Sequence, residues 1–425
     1  MKRHCSLRLD LLPGESDLSW QVFDRLSGAN GGIIRTISAS TTISPEKIIE
    51  SFTTSVIKTC NGAHQQTIQA ALRAWGSTAC KEILPDEIRR KLTAFDGGDV
   101  LFMVPLEWAD FPFEILHIPT GFLGQRFQIG TIINSGVPQG PEKHFNQAGD
   151  LMIITDFSEN LQSVCSEGAS LKSAAVNRKR QVRLVMQADN QKLAAEIPLA
   201  SMVHFAGHSG PDQEFATAGW RLGQGNYFDT NAILGTGTSP VLPWLVFSNS
   251  CDGGRIMVNP GLSGIAGAFL SAGVQQVVGP FCKLNDVQAK RCTIGFYYWI
   301  FRGKSAAQAL MLLRRKSPEG TGLTPLFYRL FGDPRFTEPA KKTPWRRVIP
   351  VIAGMLIVLS LLMIGIVIGI RVGGGVVSFN INLYAPTVNV LGSTHRNIDK
   401  QPKAGPDDNR LPQIPVPPAD SMKSH

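Results

Sequence analysis

A cysteine occupies a position in the sequence where a nucleophile would be exposed. Cys251 lies in the segment "LVFSNSCDGG", in which an apolar run leads to the cysteine and Gly253 and Gly254 follow closely. A structural thiol usually packs as a small hydrophobe, so we would expect it inside the apolar run. A cysteine at the end of a strand, beside flexible glycine backbone, is open to a substrate. Cys251 is therefore a candidate nucleophile, and a cysteine nucleophile needs a neighbouring base.

Two histidines in the segment "MVHFAGHSG" are candidates for that base. His208 lies where the apolar run ends, between Gly207 and Gly210, whereas His204 lies inside the run. Neighbouring parallel strands end at the same edge of a sheet, so His208 and Cys251 could meet there. An imidazole can accept the thiol proton and later donate it to the leaving amine. His204 is expected to be a packed, hydrogen-bonded core histidine.

Other reactive arrangements fit the sequence less well. The segment from His204 to His208 lacks the glutamate of a zinc-binding HExxH helix, because Phe205 stands in its place. No G-x-S-x-G motif of a serine hydrolase is present. The seven cysteines are scattered and form no CxxC pair, so neither a disulfide framework nor a zinc site is expected. No metal or cofactor is predicted, and spacing alone leaves the Cys–His pair a hypothesis.

The elements around these residues predict an α/β fold. From Leu151 onward, apolar strand-like segments alternate with helical segments, which is typical of a mainly parallel sheet flanked by helices. Residues 1–100 mix short strand patterns with helical stretches and are expected to form an N-terminal α/β portion that precedes this core. The carboxyl ends of the parallel strands would then carry His208 and Cys251.

The most apolar segment of the chain predicts one C-terminal transmembrane helix. Residues 348–370 carry no charged side chain, and at ~1.5 Å per residue they would reach ~34 Å, enough to cross a ~30 Å hydrocarbon core. Basic residues crowd the preceding segment, Lys341–Arg347, which places the large N-terminal body in the cytoplasm by the positive-inside rule. Residues 371–425 would then be an extracytoplasmic tail, disordered at its Pro-rich end.

The formal net charge of +9 does not by itself indicate a nucleic-acid partner. The basic clusters are Arg178–Arg183, Arg314–Lys316 and Lys341–Arg347, and none is interleaved with aromatic residues in the manner of a base-stacking surface. Attraction to a membrane surface accounts better for the third cluster. The predicted partners are therefore a membrane and a protein substrate, with no nucleic acid.

Several motifs follow one another in an order that is typical of one family. The segments "VHFAGHSG", "LVFSNSCDGG" and "GLSGIAGAFLSAGVQQVVGPF" are preceded by "DFPFEILHIPTGFLG" and followed by "FYYWIFRGKSAAQAL" and "LFGDPRF". From about Leu101 to Phe336 the chain thereby resembles a CHAT domain, the caspase-like peptidase module related to separase and caspases. The resemblance implies a caspase-haemoglobinase-like α/β fold over residues 101–340 and peptide-bond hydrolysis by a His–Cys dyad.

The resemblance assigns His208 and Cys251 as the catalytic dyad. It also implies that the backbone N–H groups of Ser209 and Cys251 hold the oxyanion. The family usually has glycine directly after the catalytic histidine. Ser209 keeps the backbone N–H but adds a Cβ, which narrows the path by which the substrate would approach that N–H. Further departures are Phe113 in place of a tryptophan, and Asp252 where the family often has glutamate after the cysteine.

Two aspartates are candidates for substrate binding. Asp286 resembles in position an acid that faces a basic P1 side chain in separase-like relatives, and a buried carboxylate there would pair with arginine or lysine. The alternative for Asp286 is a helix-start carboxylate of the segment "DVQAK". Asp252 is the other candidate, although an aspartate before Gly253 and Gly254 is also typical of a turn.

The sequence therefore predicts a caspase-like cysteine endopeptidase, anchored in a bacterial inner membrane by a single span, with its catalytic body in the cytoplasm. The resemblance implies a role in signalling, antiviral defence or programmed cell death. A gasdermin-like pore-forming protein is one candidate substrate. The alternative is a catalytically inactive CHAT module that acts as a membrane-tethered binding or scaffold protein.

Overall fold

One mostly parallel sheet organises the protein. The structure is a computed structural model and describes residues 4–12, 18–24, 33–39, 44–52, 54, 65–134, 143–146, 150–155, 162–186, 189–211, 218–223, 226–256, 264–318, 320–338 and 354–361. The strands in these residues are β1 (His4–Leu12), β2 (Leu18–Asp24), β3 (Ile33–Ala39), β4 (Gly97–Pro105), β5 (His117–Ile118), β6 (Gly121–Phe122), β7 (Gln128–Asn134), β8 (His144–Phe145), β9 (Leu151–Thr155), β10 (Val182–Met186), β11 (Met202–Ala206), β12 (Ser209–Pro211), β13 (Ala218–Gly223), β14 (Asn226–Asp229), β15 (Val241–Leu242), β16 (Leu245–Asn249), β17 (Gln276–Pro280) and β18 (Tyr328–Phe331). The α-helices are α1 (Pro45–Phe52), α2 (Gln65–Ile83), α3 (Asp86–Ala94), α4 (Leu123–Arg126), α5 (Gln162–Val176), α6 (Asn190–Glu196), α7 (Thr230–Thr236), α8 (Gly264–Ala272), α9 (Asp286–Ile300) and α10 (Ala306–Lys316).

Eleven of these strands pair in the order β10-β9-β11-β16-β17-β18-β7-β4-β1-β2-β3. Neighbours run parallel from β10 to β17 and again from β18 to β1. Strand β18 is antiparallel to β17, and β2 is antiparallel to both β1 and β3. The predicted mainly parallel sheet flanked by helices is confirmed.

The centre of the sheet is covered on both faces. Strands β9, β11, β16 and β17 are buried at every position. Helices α5, α9 and α10 pack on one face of these strands, and helices α6, α7 and α8 pack on the other. Because neither face meets water, the strands are apolar in both alternating positions, as is typical of parallel sheets.

The N-terminal strands extend the same sheet. Helices α1, α2 and α3 pack on one face of β1, β2 and β4, and Trp20 is fixed there because its Nε1–H donates to the Ile83 carbonyl oxygen at 2.9 Å. Pro85 separates α2 from α3 with an extended ψ of 151°. Proline has no N–H to continue a helix and disfavours a helical conformation in the residue before it, so the chain starts a new helix at Asp86.

The predicted membrane span lies largely outside the described residues. Of residues 348–370, the structure describes 354–361, which form a helix with exposed side chains. Among the described residues no helix is both long and apolar enough to span a bilayer. The predicted tail, residues 371–425, lies outside the described residues.

Candidate active site

Strand register brings the two predicted dyad residues to the same edge of the sheet. Strands β11 and β16 are parallel neighbours, and their last residues, Ala206 and Asn249, are paired. His208 follows the first of these strands after Gly207, and Cys251 follows the second after Ser250. Equal offsets past paired strand ends bring both residues to the carboxyl edge of the sheet, where α/β sheets commonly bind ligands.

His208 and Cys251 line one cleft. The other residues of its wall come from α5, from the ends of β16 and β17 and from the start of α9: Ser163, Val164, Glu167, Gly207, Asn249, Ser250, Pro280, Leu284, Asp286 and Ala289. The cleft therefore contains both dyad candidates and Asp286, whereas Ser209 and Asp252 are not among the residues of its wall.

Ser209 connects the two segments that carry the dyad candidates. Its hydroxyl donates a hydrogen bond to the carbonyl oxygen of Cys251. Ser209 also starts β12 and pairs with Trp220 of β13, and the neighbouring Arg221 N–H donates to the His208 carbonyl oxygen at 3.0 Å. Ser209 stands where the family usually has glycine, and its hydroxyl thus holds the segment that follows His208 against the Cys251 backbone.

The turn after Cys251 is closed by backbone hydrogen bonds. The Gly253 N–H donates to the Ser250 carbonyl oxygen at 3.0 Å, and the Gly254 N–H donates to the Pro280 carbonyl oxygen at 2.8 Å. A Cβ on Gly254 would lie 2.3 Å from the carbonyl oxygen of Gly279, which is closer than atoms can approach. Glycine at position 254 is therefore needed for the turn to pack against β17.

Asp252 takes part in this turn rather than in the cleft. Its φ is +57°, a left-handed conformation that aspartate tolerates better than most residues. Its side chain is exposed, and its carbonyl oxygen accepts from the Arg255 N–H at 2.9 Å. These observations favour the turn-forming interpretation of Asp252 over the substrate-binding one.

The Cys251 thiol is partly buried, which matters for its ionisation. Burial raises the pKa of Cys251 above its ordinary value, and the carboxylates of Asp252 and Asp286 act in the same direction. The backbone N–H of Leu284 and the charge of Lys283 act in the opposite direction, because they favour the thiolate. A raised thiol pKa leaves the resting cysteine protonated at neutral pH, so an adjacent base is required for nucleophilic attack.

Asp286 is the first residue of α9, and its side chain is exposed at the cleft. The cap of this helix is Asn285, whose Oδ1 accepts from the N–H groups of Val287 at 3.1 Å and Gln288 at 3.2 Å. Since Asn285 satisfies these donors, the carboxylate of Asp286 is not needed as a cap. Asp286 lines the cleft near the helix N-terminus.

A buried polar network beneath the cleft was not predicted from the sequence. Glu167 accepts hydrogen bonds from His204 Nε2 at 2.9 Å and from Asn249 Nδ2 at 2.8 and 3.0 Å. The hydroxyl of Tyr328 donates to Asn249 Oδ1 at 2.6 Å. All four side chains are buried, and Glu167 and Asn249 also line the cleft. The lone glutamate among small residues of α5 was the only signal in the sequence for this site.

One comparison with known proteins identifies a family. The family model of the CHAT domain matches residues 70–320. Two crystal structures of the Saccharomyces cerevisiae separase–securin complex are similar: the one at 3.0 Å resolution has 16% identity and a TM-score of 0.41, and covers 55% of this chain and 15% of that chain. The structure at 2.6 Å resolution has 12% identity and a TM-score of 0.47, and the match covers 77% of this chain and 30% of that chain. The chain therefore spans less than a third of the length of either one. No curated protein sequence matches it significantly.

Proposed function

Because the chain belongs to the CHAT domain family, we propose that it is a caspase-like cysteine endopeptidase in which Cys251 is the nucleophile and His208 the general base. The observation that carries this proposal is the equal offset of the two residues past the paired ends of β11 and β16, within one cleft. Cysteine peptidases depend on an imidazole that can take the proton of the nucleophilic thiol.

Each group has a defined role in the proposed reaction. His208 accepts the thiol proton as Cys251 Sγ bonds to the scissile carbonyl carbon, and the carbonyl π electrons move to its oxygen. The N–H groups of Ser209 and Cys251 donate to this oxyanion. When the tetrahedral intermediate collapses, the C–N bond breaks and His208 protonates the leaving amine. Water, deprotonated by His208, then attacks the thioester, and the acid product and the thiol are released.

The hydrogen bond from Ser209 supports the proposed oxyanion site. A serine in place of the family's glycine leaves the backbone N–H available, and its hydroxyl binds the Cys251 carbonyl oxygen. This bond keeps the Ser209 and Cys251 backbones adjacent, as two N–H groups that share one oxyanion must be.

The alternative is a CHAT module that has lost peptidase activity and acts as a membrane-tethered scaffold. A thiol-directed activity probe distinguishes the two, because it reacts only with a cysteine that a neighbouring base can deprotonate. In the full-length protein we expect a peptidyl acyloxymethyl ketone with a basic P1 residue to label Cys251, as mapped by mass spectrometry. Cys165 is an exposed thiol on α5 and provides the internal control. Labelling of Cys165 but not of Cys251 would favour the scaffold.

A basic P1 residue is the proposed preference of the cleft. Asp286 and Glu167 both place a carboxyl group at its wall, and no lysine or arginine is among the described residues of the wall. Asp286 is exposed, so water screens its charge and its contribution alone is expected to be modest.

We also propose that the catalytic body is anchored in a membrane by residues 348–370, with Lys341–Arg347 on the cytoplasmic side. The support is the uncharged length of this segment and the basic residues that precede it. A reporter fused after His425 is expected to be active only outside the cytoplasm, and residues before 340 should resist protease added to intact cells. A cytoplasmic signal from the reporter would contradict the single-span orientation.

For the biological setting we propose a bacterial signalling, antiviral defence or cell-death role, with a protein substrate that includes gasdermin-like pore-forming proteins as candidates. The family resemblance is the support for this setting. Cleavage of such a protein by the purified full-length chain, and not by its Cys251→Ala variant, is the corresponding test.

A further inference from the structure

Glu167 is a buried carboxylate that reaches the cleft of the dyad. Its side chain is 3% exposed, and it lines the same wall as His208 and Cys251. A carboxylate in such a position must be compensated by hydrogen bonds and by a counter-charge, because an isolated buried charge is unfavourable.

The hydrogen bonds to Glu167 come from donors that need carry no charge. Tyr328 can only donate to Asn249 Oδ1, which directs the Asn249 amide nitrogen to Glu167. His204 Nδ1 is buried without a hydrogen-bond partner among the described residues. A neutral ring with its proton on Nε2 leaves only an acceptor unpaired at Nδ1, whereas an imidazolium would bury an unpaired N–H. The contact that Glu167 receives from this ring is the hydrogen bond from Nε2.

Glu167 thus lacks a permanent cationic partner in the part of the chain that the structure describes. Its one ion-pair contact there is with His204. An ionised carboxylate has about four lone-pair positions, of which Oε1 uses two, for His204 and Asn249, and Oε2 uses one, for Asn249. No donor among the described residues occupies the remaining position on Oε2, which leaves it available to a donor that enters the cleft.

We propose that Glu167 is the principal specificity-determining residue of the cleft and binds the positive charge of a basic P1 side chain, with Asp286 as an outer second carboxylate. This assignment rests on the proposed peptidase function and deepens it. The sequence singles out Asp286, but the buried carboxylate of the cleft is Glu167. A charge-assisted hydrogen bond is stronger where water is excluded, so the inner residue dominates discrimination.

The test uses the full-length protein and two matched peptides, one with arginine at P1 and one with citrulline, which has nearly the same shape and no charge. We expect wild type to prefer arginine strongly, and Glu167→Gln to lose ~100-fold in kcat/KM on the arginine peptide while changing less than ~3-fold on the citrulline peptide. Asp286→Asn should lose only about 5-fold on arginine. Glu50→Gln, an exposed change on α1, is the matched control and should have no effect.

Several outcomes would overturn the assignment. Equal losses of kcat/KM on both peptides would mean that Glu167 positions the site but does not bind the charge of the P1 side chain. An unchanged arginine preference in Glu167→Gln would exclude Glu167 from the pocket. If Glu167→Gln does not fold, Glu167→Asp decides: withdrawing the carboxylate by one methylene group should lower the ratio of arginine to citrulline cleavage, and an unchanged ratio would exclude Glu167 from the pocket. The proposed function fails separately, when wild type cleaves neither peptide and the activity probe leaves Cys251 unlabelled.

Discussion

Cys251→Ala is expected to abolish peptide cleavage by the full-length protein, with a loss of at least ~10⁴-fold in kcat, because no other described residue of the cleft wall carries a thiol that could form the thioester. Folding should be unaffected: the side chain is only partly buried at the exit of β16, and the change removes one sulfur atom. Hydrolysis of a P1-arginine peptide and the thermal unfolding midpoint are the two measurements. Undiminished cleavage by the alanine variant would show that the nucleophile is elsewhere.

His208→Ala should lose nearly as much activity as Cys251→Ala, because the raised thiol pKa leaves the nucleophile protonated without a base. His204→Ala is the comparison variant, because His204 lies within β11 whereas His208 lies after its end. His204 is fully buried and bonded to Glu167, so its removal should lower the free energy of unfolding by about 2–4 kcal/mol. If His208→Ala cleaved at the wild-type rate while Cys251→Ala were inactive, another group would have to be the base.

The sequence was informative wherever a residue's role depends on its position along one strand. The apolar runs that became β9, β11, β16 and β17 could be assigned to a buried parallel sheet from composition alone. If two of these strands are parallel neighbours, the residues directly after them lie at the same edge of the sheet. The structure brings His208 and Cys251 together in this way, because β11 pairs with β16.

Features that depend on contacts between distant elements could not be predicted. Glu167 binds residues of β11 and β16 from a helix, and nothing in the sequence around α5 marks which way its carboxylate points. Strand β18 is short and contains the fully buried Arg329, so it lacks the apolar pattern that marked the other central strands. The Cβ of Ser209 was expected to narrow the approach of the substrate to the backbone N–H, whereas the hydrogen bond of its hydroxyl to Cys251 depends on the close spacing of the two strand exits.

Gly254→Ala is expected to destabilise the protein by about 3 kcal/mol or more and to reduce cleavage. The new Cβ would lie 2.3 Å from the carbonyl oxygen and 2.6 Å from the carbonyl carbon of Gly279, which are backbone atoms of the buried β17 and cannot rotate away. To relieve the overlap, the turn must move off β17 and lose the hydrogen bond from the Gly254 N–H to Pro280. Cys251 begins this turn, so its sulfur would move away from His208.

Gly235→Ala is the matched control, because it makes the same chemical change where there is room. Gly235 lies within α7, and an added Cβ there would meet no atom within 4 Å. Alanine is favoured over glycine inside a helix by about 0.5–1 kcal/mol, so this variant should be slightly more stable than wild type and equally active. Urea unfolding and peptide hydrolysis are measured for both variants. A loss in Gly254→Ala alone would show that the contact with Gly279 is responsible, and not the replacement of a glycine as such. Wild-type stability in Gly254→Ala would mean that the turn after Cys251 does not pack against β17 as described.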